Sequence, residues 1–259
     1  FGKKFGIEVV ERFDSMVDRV DGVMIDDFES IAYNQFLARP YLEAGMPVFI
    51  NRPFTDSIRK AKEMLSLAAR RGAPIMTGSS YEHLQQIHAI RVKVKKEEIT
   101  GYEAWNACSD YYTHGLHGVW GSYAAAGGGV ESVTLECKDW LKSQGSVTTI
   151  YYKDRGRGAF AGRVHEGQKP NEAAHWFNII IQPGSREFTF NSMDAWAIDE
   201  FMWLPMLHRI QWMFETGEQH ETHEDILEKT ALFIGAFYSH FEKKGEKVRL
   251  ADIPEDWAI

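Results

Sequence analysis

The first 90 residues alternate short apolar runs with amphipathic stretches, a pattern that predicts βαβ units around a parallel sheet. The apolar runs predict strands at residues 7–10, 22–25, 47–50 and 74–76. A helix is expected at about residues 30–43. A second helix should begin after Asp56 or Ser57 and end at Gly72, because these residue types favour helix termini.

The pattern changes after about Tyr81, where the apolar runs become longer and alternate with polar residues. Strands are predicted at residues 147–152, 177–181 and 186–190, with a Pro183-Gly184 turn before the last one. Two helices are expected at residues 199–217 and 224–244, the second with a buried face that includes Phe241. The predicted fold class is therefore α/β, with a parallel-sheet domain at residues 1–83. A second domain with an open, mostly antiparallel sheet follows at residues 84–259.

Acidic residues outnumber basic ones along the chain. The 29 Lys and Arg stand against 37 Asp and Glu, and the formal net charge of -8 disfavours nucleic acid as a partner. The best candidate for a basic patch, residues 91–96, alternates charged and apolar positions and is followed by Glu97 and Glu98. This alternation predicts the exposed face of an edge strand rather than a phosphate-binding surface.

Apolar content and cysteine use indicate the class of protein. The chain has 259 residues, of which 44% are apolar, enough for one large core or two ordinary ones. No apolar run reaches the roughly 18 residues that a membrane span needs, and no signal peptide is evident at residues 1–13. Cys108 and Cys137 stand in no metal-binding spacing and need not form a disulfide. We therefore expect a soluble, cytoplasmic protein, and a targeting segment upstream of Phe1 is left open.

Two polar groups directly follow predicted strands: Asp26-Asp27-Phe28 and Asn51-Arg52-Pro53. A parallel sheet binds ligands beyond the carboxyl ends of its strands, so both groups are candidates for ligand binding. Pro53 restricts the preceding residue to an extended conformation, which directs the Arg52 guanidinium toward the crevice. There it can donate hydrogen bonds to an anionic or hydroxylated ligand. The alternative is that Arg52 only forms an ion pair beside the proline.

A histidine pair stands in the segment Tyr112-Thr113-His114-Gly115-Leu116-His117-Gly118. On a helix, His114 and His117 share a face, and a neutral imidazole accepts a proton near pH 7. No metal is predicted, because a third ligand at a fixed spacing is missing. The alternative is that each histidine packs in the core or caps a helix. Gly115 is expected to allow close approach of a ligand, and Gly118 to leave room for the His117 ring.

The segment at residues 156–161 formally fits the G-x-G-x-x-A pattern of dinucleotide-binding loops. That pattern binds pyrophosphate only when a helix follows, whereas residues 160–164 continue as a predicted strand. A hairpin turn is therefore expected here, and the sequence contains no true glycine fingerprint.

Two longer segments resemble the Gfo/Idh/MocA oxidoreductase family. LEAGMPVFINRPFTDSIRKAKEMLSLAARRGAPIMTGSS is similar to the family segment in which a strand leads into Glu-Lys-Pro. THGLHGVWGSYAAAGGGVESV is similar to the Asp-x-Gly-x-His segment. The resemblance covers nearly the whole chain. It implies that the first domain is a Rossmann-like domain truncated at its N-terminus, with about 50 residues and the glycine loop upstream of Phe1.

The resemblance also implies a site, with departures from the family. Arg52 stands where the family has the lysine, Asn51 where it has the glutamate, and Thr113 where it has the aspartate. In related enzymes, the lysine polarises the reacting oxygen and the histidine takes the hydroxyl proton. The residues implied as catalytic here are His117 and Arg52, and without an acid nearby His117 should be a weaker base. His114, Tyr112 and Thr113 are implied as substrate contacts. Asp26, Asp27, Phe28, Asn51 and Arg52 are implied as cofactor contacts.

The implied activity is an NAD- or NADP-dependent oxidoreductase acting on a sugar or polyol, with no metal. Two alternatives remain open: a glycoside hydrolase that retains its nicotinamide, and an inactive paralogue that only binds sugars. Trp105 and Trp120 are candidates for stacking on a sugar ring, with burial in the core as the alternative. Residues 173–181 are too apolar to leave a sheet face exposed, so we expect a homo-oligomer that packs through this sheet.

Overall fold

A three-stranded parallel sheet organises the first part of the chain. The computed structural model describes residues 2–26, 31–106, 110–141, 145–153, 160–167, 177–183, 188–191 and 199–259. The sheet has the order β1 (Val23–Ile25), β2 (Val48–Asn51) and β3 (Ile75–Gly78). The helices of this part are α1 (Gly2–Phe5), α2 (Asn34–Glu43) and α3 (Ile58–Arg71). Strands β1 to β3 and helices α2 and α3 confirm the predicted βαβ pattern.

Helix α3 shows why the sequence folds this way. The Ser57 side chain accepts a hydrogen bond from Lys60 N at 3.4 Å, and Gly72 ends the helix with a left-handed φ of 64°. The buried residues between these caps keep the three-to-four spacing of a helix packed on one face: Ile58, Ala61, Met64, Leu65 and Ala68. Both predicted caps are therefore confirmed, with Ser57 rather than Asp56 as the first one.

The second part is built on a seven-stranded sheet with the order β10-β5-β6-β7-β4-β8-β9. Its strands are β4 (Ile99–Asn106), β5 (Val130–Glu136), β6 (Ser146–Tyr152), β7 (Phe160–Glu166), β8 (Phe177–Pro183), β9 (Phe188–Asn191) and β10 (Val248–Arg249). Only the β4–β7 pair is parallel among them, so the mostly antiparallel sheet is confirmed.

Among the described residues, four α-helices belong to this part: α4 (Gln85–Lys93), α5 (Leu116–Ala126), α6 (Asp199–Thr216) and α7 (His223–Lys243). Helix α5 packs against β4, β7 and β8, and α7 packs against β5 and β10. The predicted helices α6 and α7 and the antiparallel β8–β9 pair are confirmed. No helix within the described ranges is long and apolar enough to cross a membrane.

Three predictions about local structure are wrong. Residues 7–10 form no strand, and residues 91–96 lie in α4 and a following 3-10 turn instead of an edge strand. Ile87, Ile90 and Val94 are buried at helical spacing, whereas Val92 is 73% exposed. The burial of Ile87, Ile90 and Val94 at helical spacing therefore had more influence on the structure than the alternation of charged and apolar residues at 91–96. Phe241, expected in the core, is 48% exposed on α7.

The chain returns at residues 255–259 to the start of α3. Arg59 N donates to Glu255 O at 2.8 Å, and Ile259 N donates to Asp56 O at 3.2 Å. Ser57 and Ala258 form an isolated antiparallel bridge. These backbone contacts fix the first turn of α3, which directly follows the loop that carries Arg52.

Candidate active site

Polar residues follow all three parallel strands at their carboxyl ends. Asp26 follows β1, Asn51 ends β2, and Ser79 follows β3. The Asn51 amide donates to the Asp26 carboxylate, and Asn51 Oδ1 accepts a hydrogen bond from Arg52 N at 2.9 Å. The backbone at Arg52 is therefore held by the side chain before it. The Arg52-Pro53 peptide bond is cis.

Arg52 and His117 meet across the two parts of the fold. Arg52 Nε donates to His117 Nε2 at 3.1 Å, and Nη2 of the same guanidinium lies 2.9 Å from Nε2. His117 lies in the first turn of α5 and is 6% exposed. Burial lowers the pKa of Arg52, although Asp26 and Asp110 oppose this shift, and a guanidinium stays charged in either case. The Arg52 guanidinium and the His117 imidazole are therefore in contact within the crevice.

The contacts of His117 determine where its ring proton lies. Its Nε2 faces a guanidinium, which has only donors, so Nε2 must be the unprotonated acceptor. The proton is therefore on Nδ1, which donates to Ser79 Oγ at 2.5 Å. The Tyr81 ring packs on His117 with 5.0 Å between the ring centres. His117 is thus a neutral imidazole whose lone pair points toward Arg52.

Asp110 is a site residue that the sequence reasoning missed. Its carboxylate accepts hydrogen bonds from Thr113 N at 2.6 Å, Thr113 Oγ1 at 2.5 Å and His114 Nδ1 at 2.9 Å. Burial raises the pKa of Asp110, but the bonds from His114 and Thr113 outweigh it and lower the pKa to about 2. The acid therefore pairs with His114, not with His117. The spacing of four residues between Asp110 and His114 is the sequence pattern that could have identified this pair.

Three of the aromatic residues named from the sequence pack against other side chains or are buried. Tyr112 packs against Phe233 and Phe237 of α7, with 6.5 and 6.2 Å between ring centres. Trp120 is fully buried and donates to Lys229 O at 3.0 Å, so it is not exposed for a sugar. Trp105 stacks on His165 with 5.6 Å between ring centres.

The two glycines flanking His117 pack against protein atoms. A Cβ on Gly115 would lie 2.9 Å from Tyr111 and 3.2 Å from the Glu166 carboxylate. A Cβ on Gly118 would lie 2.7 Å from Cβ of Asn106. The expectation that Gly115 admits a ligand is therefore wrong: both glycines let α5 approach the ends of β4 and β7.

Glu166, at the end of β7, is a buried carboxyl group beneath this helix start. Neither of its oxygens has a hydrogen-bond partner among the described residues, and burial raises its pKa well above the ordinary value. The Glu166 carboxyl therefore stays protonated to a higher pH in the folded chain than in the unfolded chain. Its contribution to stability is present below the unfolded pKa of 4.5 and is lost as the pH rises through the folded pKa.

We expect Glu166→Gln to be more stable than the parent at alkaline pH and to show a flatter pH dependence of the free energy of unfolding. The reason is that the amide resembles the neutral carboxyl and cannot ionise in either state. Urea unfolding at a series of pH values measures this, with Glu136→Gln at an exposed position as the control. Parallel curves for the parent and Glu166→Gln would contradict the assignment.

The residues at the strand ends fit the polar parts of a nicotinamide cofactor. A carboxylate at Asp26 and an amide at Asn51 suit ribose hydroxyls and a carboxamide, which need acceptors and donors at this edge. Asp27 and Phe28, also predicted as cofactor contacts, lie outside the described residues. Within the described ranges, His, Cys, Asp and Glu form no group of three or more that could hold a metal ion.

The N-terminal residues match a known family. Residues 1–79 fit the GFO_IDH_MocA family model, described as an oxidoreductase family with an NAD-binding Rossmann fold. The resemblance inferred from the sequence is thereby confirmed for residues 1–79, which match a family described as NAD-binding. A search of curated protein sequences gave no match.

Solved structures share the fold over nearly the whole chain. GenD2 from gentamicin A biosynthesis, solved with NAD, has a TM-score of 0.79 at 14% identity, covering 96% of this chain and 84% of its own. A probable dehydrogenase from Thermotoga maritima has a TM-score of 0.79 at 14% identity, with coverages of 98% and 88%. Scyllo-inositol dehydrogenase from Lactobacillus casei, with bound NAD(H) and scyllo-inositol, has a TM-score of 0.75 at 14% identity, with coverages of 97% and 87%.

Proposed function

We propose that this chain, whose N-terminal residues match an NAD-binding oxidoreductase family, interconverts a hydroxyl and a carbonyl group on a sugar or polyol with NAD or NADP. The observation that carries the proposal is the convergence of Arg52 and His117 Nε2 beside the carboxyl ends of the parallel strands. The polyol class is supported by the similar fold of the scyllo-inositol dehydrogenase, and by a site that offers hydrogen-bonding groups to a hydroxylated ligand.

The roles follow from the donors and acceptors at this point. A nicotinamide held near Asp26 and Asn51 would supply the hydride acceptor for the substrate carbon. On binding, the substrate oxygen replaces His117 Nε2 as the hydrogen-bond partner of Arg52. His117 Nε2 then accepts the proton of the substrate hydroxyl group. Arg52 donates hydrogen bonds to the developing alkoxide and stabilises its charge. In the reverse direction, His117 returns the proton to the oxygen.

The remaining predicted contacts surround this pair. His114, held by Asp110, is assigned to a second hydroxyl of the substrate, together with Thr113 and Tyr112. Asp26 and Asn51 are assigned to the cofactor with Asp27 and Phe28. In this proposal, Asp110 fixes the direction of the His114 ring, because the carboxylate accepts from its Nδ1.

The test is nicotinamide absorbance after the protein is mixed with NAD or NADP and a panel of inositols, sugars and linear polyols. Reduction of the cofactor in proportion to product supports the dehydrogenase. A cofactor that co-purifies, is not consumed and accompanies glycoside cleavage identifies the retaining hydrolase instead. Failure to bind either nicotinamide identifies the inactive paralogue and refutes the proposal.

We also propose that the chain forms a homo-oligomer through the outward face of the seven-stranded sheet. Trp105, Tyr151 and Ile180 are half-buried on that face, where partly exposed apolar surface favours association. Light scattering at micromolar concentration is expected to give a multiple of the 29.7 kDa chain mass. Tyr151→Lys should reduce that mass, with Lys153→Ala as the control; a monomeric parent contradicts the proposal.

A further inference from the structure

A buried ion cluster lies beside the end of β3. The side chain of Lys229 in α7 is fully buried, and its Nζ donates to Glu221 at 2.6 Å, Glu82 at 2.8 Å and Thr77 O at 2.9 Å. The Nζ also lies 4.8 Å from the centre of the Trp120 ring. All three ammonium protons therefore have acceptors, and the geometry of the cluster is fixed.

The Lys229–Glu82 ion pair of this cluster is connected to His117. Glu82 binds Lys229 through Oε2, and its Oε1 accepts a hydrogen bond from Ser79 N at 2.6 Å. The Ser79 hydroxyl oxygen lies 2.5 Å from His117 Nδ1. Two hydrogen bonds of Glu82, the Ser79 residue itself and its side-chain contact thus join α7 to the imidazole in α5. The Lys229–Glu221 ion pair has no such connection to Ser79 among the described contacts.

Both oxygens of Glu82 are needed for this path, because each accepts from a donor. The net stability gained from a buried ion pair is small, since the cost of desolvation offsets the attraction. The cluster does, however, fix the positions of the groups bound to it. Burial raises the pKa of Glu82 to about 7 while Lys229 opposes the shift, so the carboxylate form dominates above neutral pH.

We propose that Lys229 is a positioning residue that holds His117, through Glu82 and Ser79, as the Nδ1-protonated tautomer with Nε2 facing Arg52. Lys229 places the Glu82 carboxylate, Glu82 fixes the backbone of Ser79, and the Ser79 oxygen accepts the Nδ1 proton, which keeps the His117 ring turned with Nε2 toward Arg52. The catalytic meaning of this arrangement rests on the proposed function. The tautomer itself does not, because it is a property of the protein without substrate.

Glu82→Gln is the sharpest test, because an amide has only one acceptor atom for the two donors Ser79 N and Lys229 Nζ. Glu221→Gln is the matched control: it removes a carboxylate from the same cluster, and its amide oxygen can still accept from Lys229. Lys229→Met removes the cation itself. If Lys229→Met does not fold, the comparison of Glu82→Gln with Glu221→Gln decides the question.

The measurement is long-range proton–nitrogen NMR of histidine-labelled protein at about pH 8, where Glu82 is mainly ionised. The His117 signals are identified as those missing in His117→Asn. The parent and Glu221→Gln should show His117 protonated on Nδ1, whereas Glu82→Gln and Lys229→Met should show averaged shifts from both tautomers. An unchanged tautomer in folded Glu82→Gln would overturn the proposal.

A second readout links the tautomer to turnover. If a dehydrogenase activity is found, kcat should fall by about tenfold to a hundredfold in Glu82→Gln, with KM little changed, because the base is misplaced. Equal losses of kcat in Glu82→Gln and Glu221→Gln would indicate a purely structural cluster and refute the positioning role. Absence of any activity in the parent refutes the proposed function and leaves the NMR result to decide on the tautomer.

Discussion

His117→Asn is expected to keep the fold and the affinity for nicotinamide while the chemical step slows by about two to four orders of magnitude, the usual effect of removing a positioned acid or base. The structure gives the reason: the unprotonated Nε2 meets Arg52 at the ends of the parallel strands. Single-turnover kinetics measure the rate of the chemical step. The dependence of this rate on the ionisation of His117, seen in the pH profile of the parent, should be absent in the variant.

His114→Asn is the matched control, because His114 lies in the same segment with 6.4 Å between the two ring centres. This variant should mainly raise KM, since it removes a binding contact shared by the ground and transition states. If His117→Asn keeps near-normal turnover, or if His114→Asn is the more damaged, the pair Asp110 and His114 must carry the proton transfer instead.

Arg52→Ala is expected to lower kcat by about two to three orders of magnitude, because it removes the donors that stabilise the alkoxide. Stability should fall by only about 1 kcal/mol, the usual net contribution of a hydrogen bond. Steady-state kinetics and thermal unfolding of the same preparation separate the two effects.

Arg52→Lys serves as the control for charge, because the resemblance places a lysine at this position. It should retain more turnover than Arg52→Ala, although it loses the two-pronged contact with His117. A lowered melting temperature with unchanged kcat in Arg52→Ala would show that Arg52 has a structural role only.

The sequence was sufficient to predict the positions of Arg52 and His117, the two proposed catalytic residues, in the fold. Asn51 and Arg52 were placed after a parallel strand, and the structure puts them at that edge. The sequence alone does not establish a helix after Gly115. The resemblance nevertheless places His117 at the same crevice, and the side chains of Arg52 and His117 are in contact. Local patterns succeed here because caps, turns and strand ends depend on neighbours in the chain.

The partners of these groups could not be predicted, because they come from distant parts of the chain. Lys229 and Glu82 are 147 residues apart, and no periodicity relates a helix near the C-terminus to a turn after β3. The pairing of Asp110 with His114 is local, but a spacing of four residues alone does not distinguish an ion pair from solvent-exposed side chains. The partial burial of both side chains distinguishes this pair from exposed ones.

The return of residues 255–259 to the start of α3 affects the order in which the protein is completed on the ribosome. Lys62 and Glu255 are 193 residues apart, so the first turn of α3 is synthesised long before its backbone partners emerge. A nascent chain therefore carries the Arg52 loop without its final support until translation reaches Glu255.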